Sequence, residues 1–220
     1  MNCMRLPLLS GFTSGMVNFY SFGRMRFFLA LVLMATLFTA CRPETYTPKP
    51  RGYYEIELPQ RGYQVFNDPA FPYTFEYPVY GRVVRDTVFR GQKPENPYWI
   101  NIEFPVLGGN IYVSYKKLSP TQPLARVLED TYEMTMFHTK KADNIEEFVF
   151  HSDETNVHGI FYVVAGNAAS AYQFYATDST SHYMRGALYF DVSPNADSLR
   201  PVNEFLRVDI DHMLQTLKWK

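Results

Sequence analysis

Cysteine is nearly missing from this 220-residue chain: there are two, Cys3 and Cys41, and both precede anything patterned like a folded domain. This excludes a disulfide-stapled core and a cysteine-based metal set within one. Long apolar runs are also lacking, since a permanent membrane-crossing helix needs about 20 apolar residues and Phe27 to Ala40 supplies 14. There is no excess of positive charge. The formal net charge is −1, and the small Lys/Arg clusters around Lys116 and Lys140 are too short for a phosphate track, so nucleic acid is not expected as a partner. HExxH, GxSxG and Walker A patterns are absent, and the five histidines, at 138, 151, 158, 182 and 212, form no i, i+4 pair. No metal, cofactor or nucleotide is therefore expected.

What is present begins with FFLALVLMATLFTA, preceded by Arg24 and Arg26 and with no acid before Glu44. A basic flank followed by a short apolar run is the shape of a secretory signal. Residues 1–23 are long for its first part, and Met16 and Met25 stand as alternative starts. Leu37, Phe38, Thr39 and Ala40 ahead of Cys41 resemble a bacterial lipobox, in which a peptidase cuts before the cysteine and its sulfur carries a diacylglycerol; Phe38 stands where Leu is usual. Two or three acyl chains at ~0.8 kcal/mol per buried methylene hold a protein to a bilayer, whereas one does not. The alternative is an ordinary signal peptide cut near Ala40, which would leave an odd free thiol. Cutting before Cys41 removes Arg5, Arg24 and Arg26 from the 21 basic residues and none of the 22 acids, so the mature chain carries −4.

The expected organisation is a lipoprotein signal peptide over 1–40, a proline-rich tether over 41–52 and one globular domain over 53–220. RPETYTPKPR holds three prolines and no apolar periodicity, which disfavours helix and favours an extended spacer. Strands are expected at Tyr53–Pro59, Tyr73–Pro78 and Arg82–Phe89. Trp99–Phe104 and Asn110–Lys116 should form a hairpin about Gly108 and Gly109. A helix capped by Ser119 or Thr121 should run through LARVLEDTYEMTMFHTKKAD with Leu124, Val127, Leu128 and Thr131 on one stripe. Four more strands follow, at Ile145–Phe150, Gly159–Gly166, Ala171–Thr177 and Tyr183–Val192. The last helix, capped by Asp197 or Ser198, buries Val202, Phe205, Leu206, Ile210, Met213, Leu214 and Leu217, with Asp209 and Asp211 read as solvent-facing. The order gives an α+β fold, an antiparallel sheet covered by two or three helices.

TDSTSHYMR gathers Asp178, Ser179, His182 and Arg185, which could be cast as nucleophile, base and anion clamp; the spacing fits a β-turn better, because Asp and Ser bond their own backbone there. Glu103, Glu146 and Glu147 alternate with apolar residues and read as solvent-facing. No catalytic residue is expected. Aromatics make up 17% of the chain, and Tyr53, Tyr54, Tyr73, Tyr77, Tyr98 and Trp99 read mainly as sheet packing, with an exposed glycan platform as the alternative.

YTPKPRGY just after Cys41, then YTFEYP, WINIEFP, LEDTY followed by HTKKAD, GNAAS, TDSTSHYMRGALYF and the closing FLRVDI and LKWK resemble the gliding-motility lipoprotein family GldD across residues 41–220. The resemblance implies a Bacteroidetes cell-envelope lipoprotein required for gliding motility and the associated type IX secretion machinery. It carries over one functional residue, Cys41, as the lipid attachment (palmitate) point. The implied partners are the lipid bilayer, through acylated Cys41, and other gliding and secretion machinery proteins, with no small-molecule substrate. The element order also looks like the PsbP/Mog1 αβα sandwich, a likeness of order only. Arg42 follows Cys41 where an inner-membrane retention Asp would stand, and no acidic run follows, so the periplasmic side of the outer membrane is the expected location.

Overall fold

A computed structural model describes residues 25–34, 55–87 and 93–220. Contacts divide the chain into Met1–Gly52 and Tyr53–Lys220. In the first unit, residues 25–34 form helix α1, within the apolar run. Among the described residues no helix is long and apolar enough to cross a membrane. Cys41, the tether, Tyr53 and Tyr54 lie outside the described residues.

The second unit contains two antiparallel sheets. β1 (Tyr63–Phe66), β2 (Tyr73–Pro78), β3 (Arg82–Arg85), β4 (Ile100–Phe104) and β5 (Gly109–Lys117) come first, then α2 (Leu124–Met136) and a 3-10 turn at Phe137–Lys140. β6 (Ala142–Ser152), β7 (Val157–Gly166), β8 (Tyr172–Thr177), β9 (His182–Phe190), α3 (Ala196–Thr216) and β10 (Lys218–Trp219) complete it. The large sheet runs β3-β4-β5-β9-β8-β7-β6, and the small one β1-β2-β10. After β5, α2 carries the chain to the far edge, and β6 to β9 then walk back until β9 pairs with β5, Gly109 opposite Phe190. The result is the α+β architecture expected from the element order.

Period-two alternation builds the core. Ile100, Ile102 and Phe104 of β4 and Ile111, Val113 and Tyr115 of β5 are buried in one cluster with Phe174 and Met184, under Leu206, Ile210 and Met213 of α3. Their neighbours in sequence point the other way. Tyr175 and Tyr183 join Leu118, Leu124, Val127 and Leu128, so α2 and α3 cover opposite faces of the large sheet. On the α2 side the Thr131 and Tyr183 hydroxyls share a hydrogen bond.

Four local expectations change. Residues 55–59 are not a strand, because both sides of β2 are taken, by β1 on one and by the C-terminal β10 on the other. Ser119 and Thr121 do not cap α2. Pro123 occupies the cap with no side-chain bond, while the Ser119 hydroxyl accepts from the Gln122 N–H within its own turn. α2 stops at Met136, short of the HTKKAD segment, which tightens into the 3-10 turn and then enters β6. Asn195 caps α3, accepting from the Ser198 N–H at 3.2 Å, two residues before Asp197 and three before Ser198.

Candidate functional site

A polar cluster gathers around Asp209 of α3 near the start of the second unit. Asp209 is not in solvent: its side chain is 2% exposed. At about 100° per residue, Asp209 falls between Phe205 and Met213 within the apolar arc of α3. A lone carboxylate would be costly there, and three groups from outside the helix offset that cost. The Tyr63 hydroxyl donates at 3.0 Å, the Tyr80 hydroxyl donates to the other oxygen, and Arg61 Nε lies at 3.4 Å. Arg61 also donates to the Phe205 carbonyl at 2.8 Å and covers the Phe205 ring at 4.2 Å. The Tyr63 ring stacks on His212 at 3.7 Å, and His212 Nε2 meets Glu76 at 2.7 Å.

Burial first, then the bond to Asp209 and its charge, push the Tyr63 and Tyr80 phenols up. Both stay protonated donors near neutral pH, and the carboxylate is fully engaged as their acceptor. The cluster is therefore a clasp between α3, the segment before β1 and the β2–β3 turn. Both Asp209 oxygens are used within it.

The residues of TDSTSHYMR are taken to separate places. Asp178 Oδ1 accepts from the N–H groups of Thr180, Ser181 and His182 at 2.8 to 3.0 Å. Burial would raise its carboxyl, but those three bonds bring it below the usual range. His182 Nδ1 bonds the Tyr115 hydroxyl at 2.8 Å and its ring stacks on Trp219 at 5.1 Å. Arg185 donates to Gln173 Oε1 at 2.7 Å. Ser179, at φ 64, meets a different histidine, His158, at 2.6 Å. That pairing spans 21 residues and follows from the β7–β8 register, which sets His158 opposite Thr177. Sequence spacing offered no signal for it. The Ser179–His158 contact is exposed, and the ring beside His158 is another imidazole, His151, at 5.9 Å. His151 is itself tied to Asp153.

Of the aromatics expected to pack in the sheet, Tyr73 is fully buried, while Tyr77, Tyr98 and Trp99 are half-buried. Tyr98 packs edge-on to Tyr115 at 5.6 Å, and the Trp99 indole donates to the Tyr115 carbonyl at 3.1 Å. These rings serve packing. A groove of about 360 Å³ between β1, β2, the β6–β7 turn and the end of α3 is lined by Thr74, Glu76, Ser152, Thr155 and Gln215, among others. Among the described residues no three His, Cys, Asp or Glu side chains converge to hold a metal.

Fold and clusters thus define an α+β domain in which the Asp209 and Asp178 carboxylates are taken up by its own side chains and backbone. The chain belongs to the gliding motility lipoprotein GldD family, whose model matches residues 43–219. It is therefore a gliding-motility-associated lipoprotein of the cell envelope. No curated protein matches it. Among solved structures it is similar to the cyanobacterial PsbP (CyanoP) of Synechocystis sp. PCC 6803, at 13% identity and a TM-score of 0.45, over 78% of this chain and all of that one.

Proposed function

We propose that the mature protein starts at Cys41, carries lipid on that sulfur and acts as a non-catalytic assembly or stabilising component of the gliding and type IX secretion machinery. The observation that carries this reading is the family match over residues 43–219. Residues 1–40 are then a signal peptide, 41–52 a tether and 53–220 the working domain, facing the periplasm from the outer membrane. The non-catalytic part draws support from Asp209, Asp178 and His182, whose carboxylates and imidazole Nδ1 are taken up by the clasp, the turn and the Tyr115 hydroxyl.

The test is a deletion strain complemented with three alleles. Deletion abolishes spreading on agar and type IX cargo secretion; wild type and Ser179→Ala restore both, and Cys41→Ser releases the protein from the membrane fraction and restores neither. A deletion strain that still spreads and secretes defeats the proposal, and loss of rescue by a stably folded Ser179→Ala chain defeats its non-catalytic part.

A further inference from the structure

The sheet edges are not alike. The small sheet ends in β1, with 4 residues, and β10, with 2, and the large sheet ends on one side in β3, with 4. The opposite edge is β6, with 11 residues, which among the described residues pairs only with β7. A free edge presents unpaired N–H and C=O groups to any other strand, and proteins blunt edges by shortness, proline, lysine or bulges. β6 has one irregularity, at Ala142/Asn144, and then keeps unbroken register from Asn144 opposite Ala165 to Ser152 opposite Val157. It contains no proline and no lysine.

The edge is partly covered on one face, where Phe150 packs against the main core, and exposed on the other. Glu146, Phe148 and Phe150 point to the α3 side, with the Arg207 guanidinium 5.6 Å from the Phe148 ring; Glu147, Val149 and His151 point to the other. Val149 is 79% exposed and Phe148 43%. From Ala142 to Glu154 there are five carboxylates, Asp143, Glu146, Glu147, Asp153 and Glu154, and no Lys or Arg. A second copy pairing through the same edge would set these charges against themselves, and like charges across a strand pair are destabilising.

We propose that β6 is a docking edge that accepts an extended cationic segment of a partner protein as an eighth strand. Every second residue of an antiparallel edge turns its N–H and C=O outward, and these supply the affinity. The side chains supply the choice: adjacent Lys or Arg residues meet Glu146 and Glu147, one on each face, and apolar residues then cover Phe148 and Val149. The proposal rests on the reading of the chain as an assembly component, and the two fail separately. If deletion abolishes gliding but the binding test below fails, the function stands and the docking edge falls.

The test uses the full chain purified from membranes in detergent and three synthetic peptides. One carries Val-Ile-Val followed by Lys-Arg, the order that lays an antiparallel eighth strand with its cations on Glu146 and Glu147 and its apolar residues on Phe148 and Val149. The second carries Glu-Glu in place of Lys-Arg, and the third keeps Lys-Arg with a central proline. By fluorescence anisotropy the first binds, the second binds at least about tenfold more weakly, and the proline peptide does not bind, because it cannot continue the ladder. Hydrogen exchange then shows protection at alternate amides within Ala142–Ser152. A Glu146→Lys/Glu147→Lys chain, changed at two exposed positions, exchanges its preference between the first two peptides. Equal binding of all three peptides, no binding up to about 1 mM, protection outside Ala142–Ser152, or an unchanged preference in the charge-reversed chain each overturns the proposal. Dimerisation through β6 does so as well.

Discussion

Replacing Asp209 with alanine should cost far more stability than replacing an ordinary surface acid. The substitution leaves the Tyr63 and Tyr80 hydroxyls without their acceptor and Arg61 without its partner. Hydrogen bonds to a charged group contribute about 1.5–3 kcal/mol each, and breaking a buried pair costs about 3–5 kcal/mol. Because Arg61 is 38% exposed, water compensates much of its loss, so its share is discounted. The sum that survives is about 3–6 kcal/mol, nearly all from the two phenols. For a domain of this size that corresponds to a melting temperature lower by roughly 6–24 °C. Asp209→Asn keeps the shape and one acceptor oxygen, and should lose about half as much or more, since only one phenol keeps its acceptor. Thermal unfolding of the intact chain by circular dichroism reads both values, and the cycle with Tyr63→Phe and Tyr80→Phe tests the cause. Asp209→Ala melting within about 2 °C of wild type, or phenol deletions adding fully to it, would refute the clasp.

Two further outcomes follow from the same packing. Burial first, opposed by Asp178 for His182 and reinforced by Arg185 for His138, pulls both imidazoles below the ordinary 6.5. The unfolded chain then binds more protons, so stability falls as pH drops below about 6.5; calorimetry from pH 7.5 to 5.5 should show this slope, reduced in a His138→Gln/His182→Gln chain. Gly159→Ala should fail to fold or lose more than about 3 kcal/mol in urea unfolding, because its new Cβ would sit 1.8 Å from the Tyr175 carbonyl oxygen.

What could be read in the sequence was whatever a local period encodes. The β4–β5 hairpin, the stripe of α2 and the apolar face of α3 depend on spacing alone, and each is where alternation or the 3.6-residue period puts it. The departures are non-local. Lys218 and Trp219 become β10 only because β2, about 140 residues earlier, has a vacant side. His158 reaches Ser179 only through strand register. Asp209 was misread because a carboxylate was assigned to solvent by chemistry alone, although its position lay within the apolar arc; the groups that make burial tolerable, Arg61, Tyr63 and Tyr80, are more than 120 residues away.

The position of that clasp bears on how such a domain can be held. Residues 55–62 have no regular structure, and β1 is joined to β2 by only four register pairs, Tyr63 with Pro78 through Phe66 with Phe75. A short edge hairpin pulled from its N-terminal end opens one pair at a time, so the ladder alone gives little resistance. Arg61 and Tyr63 stand at that end, and both are fixed to Asp209 on α3, whose neighbours Leu206, Ile210 and Met213 lie in the main core. Were the domain held through the proposed anchor at Cys41, load along the chain before Tyr63 would pass into α3 before it reached the β1–β2 ladder. A carboxylate suits that post better than an apolar side chain, because directional bonds fix the entry point of the chain where apolar contact would let it slide.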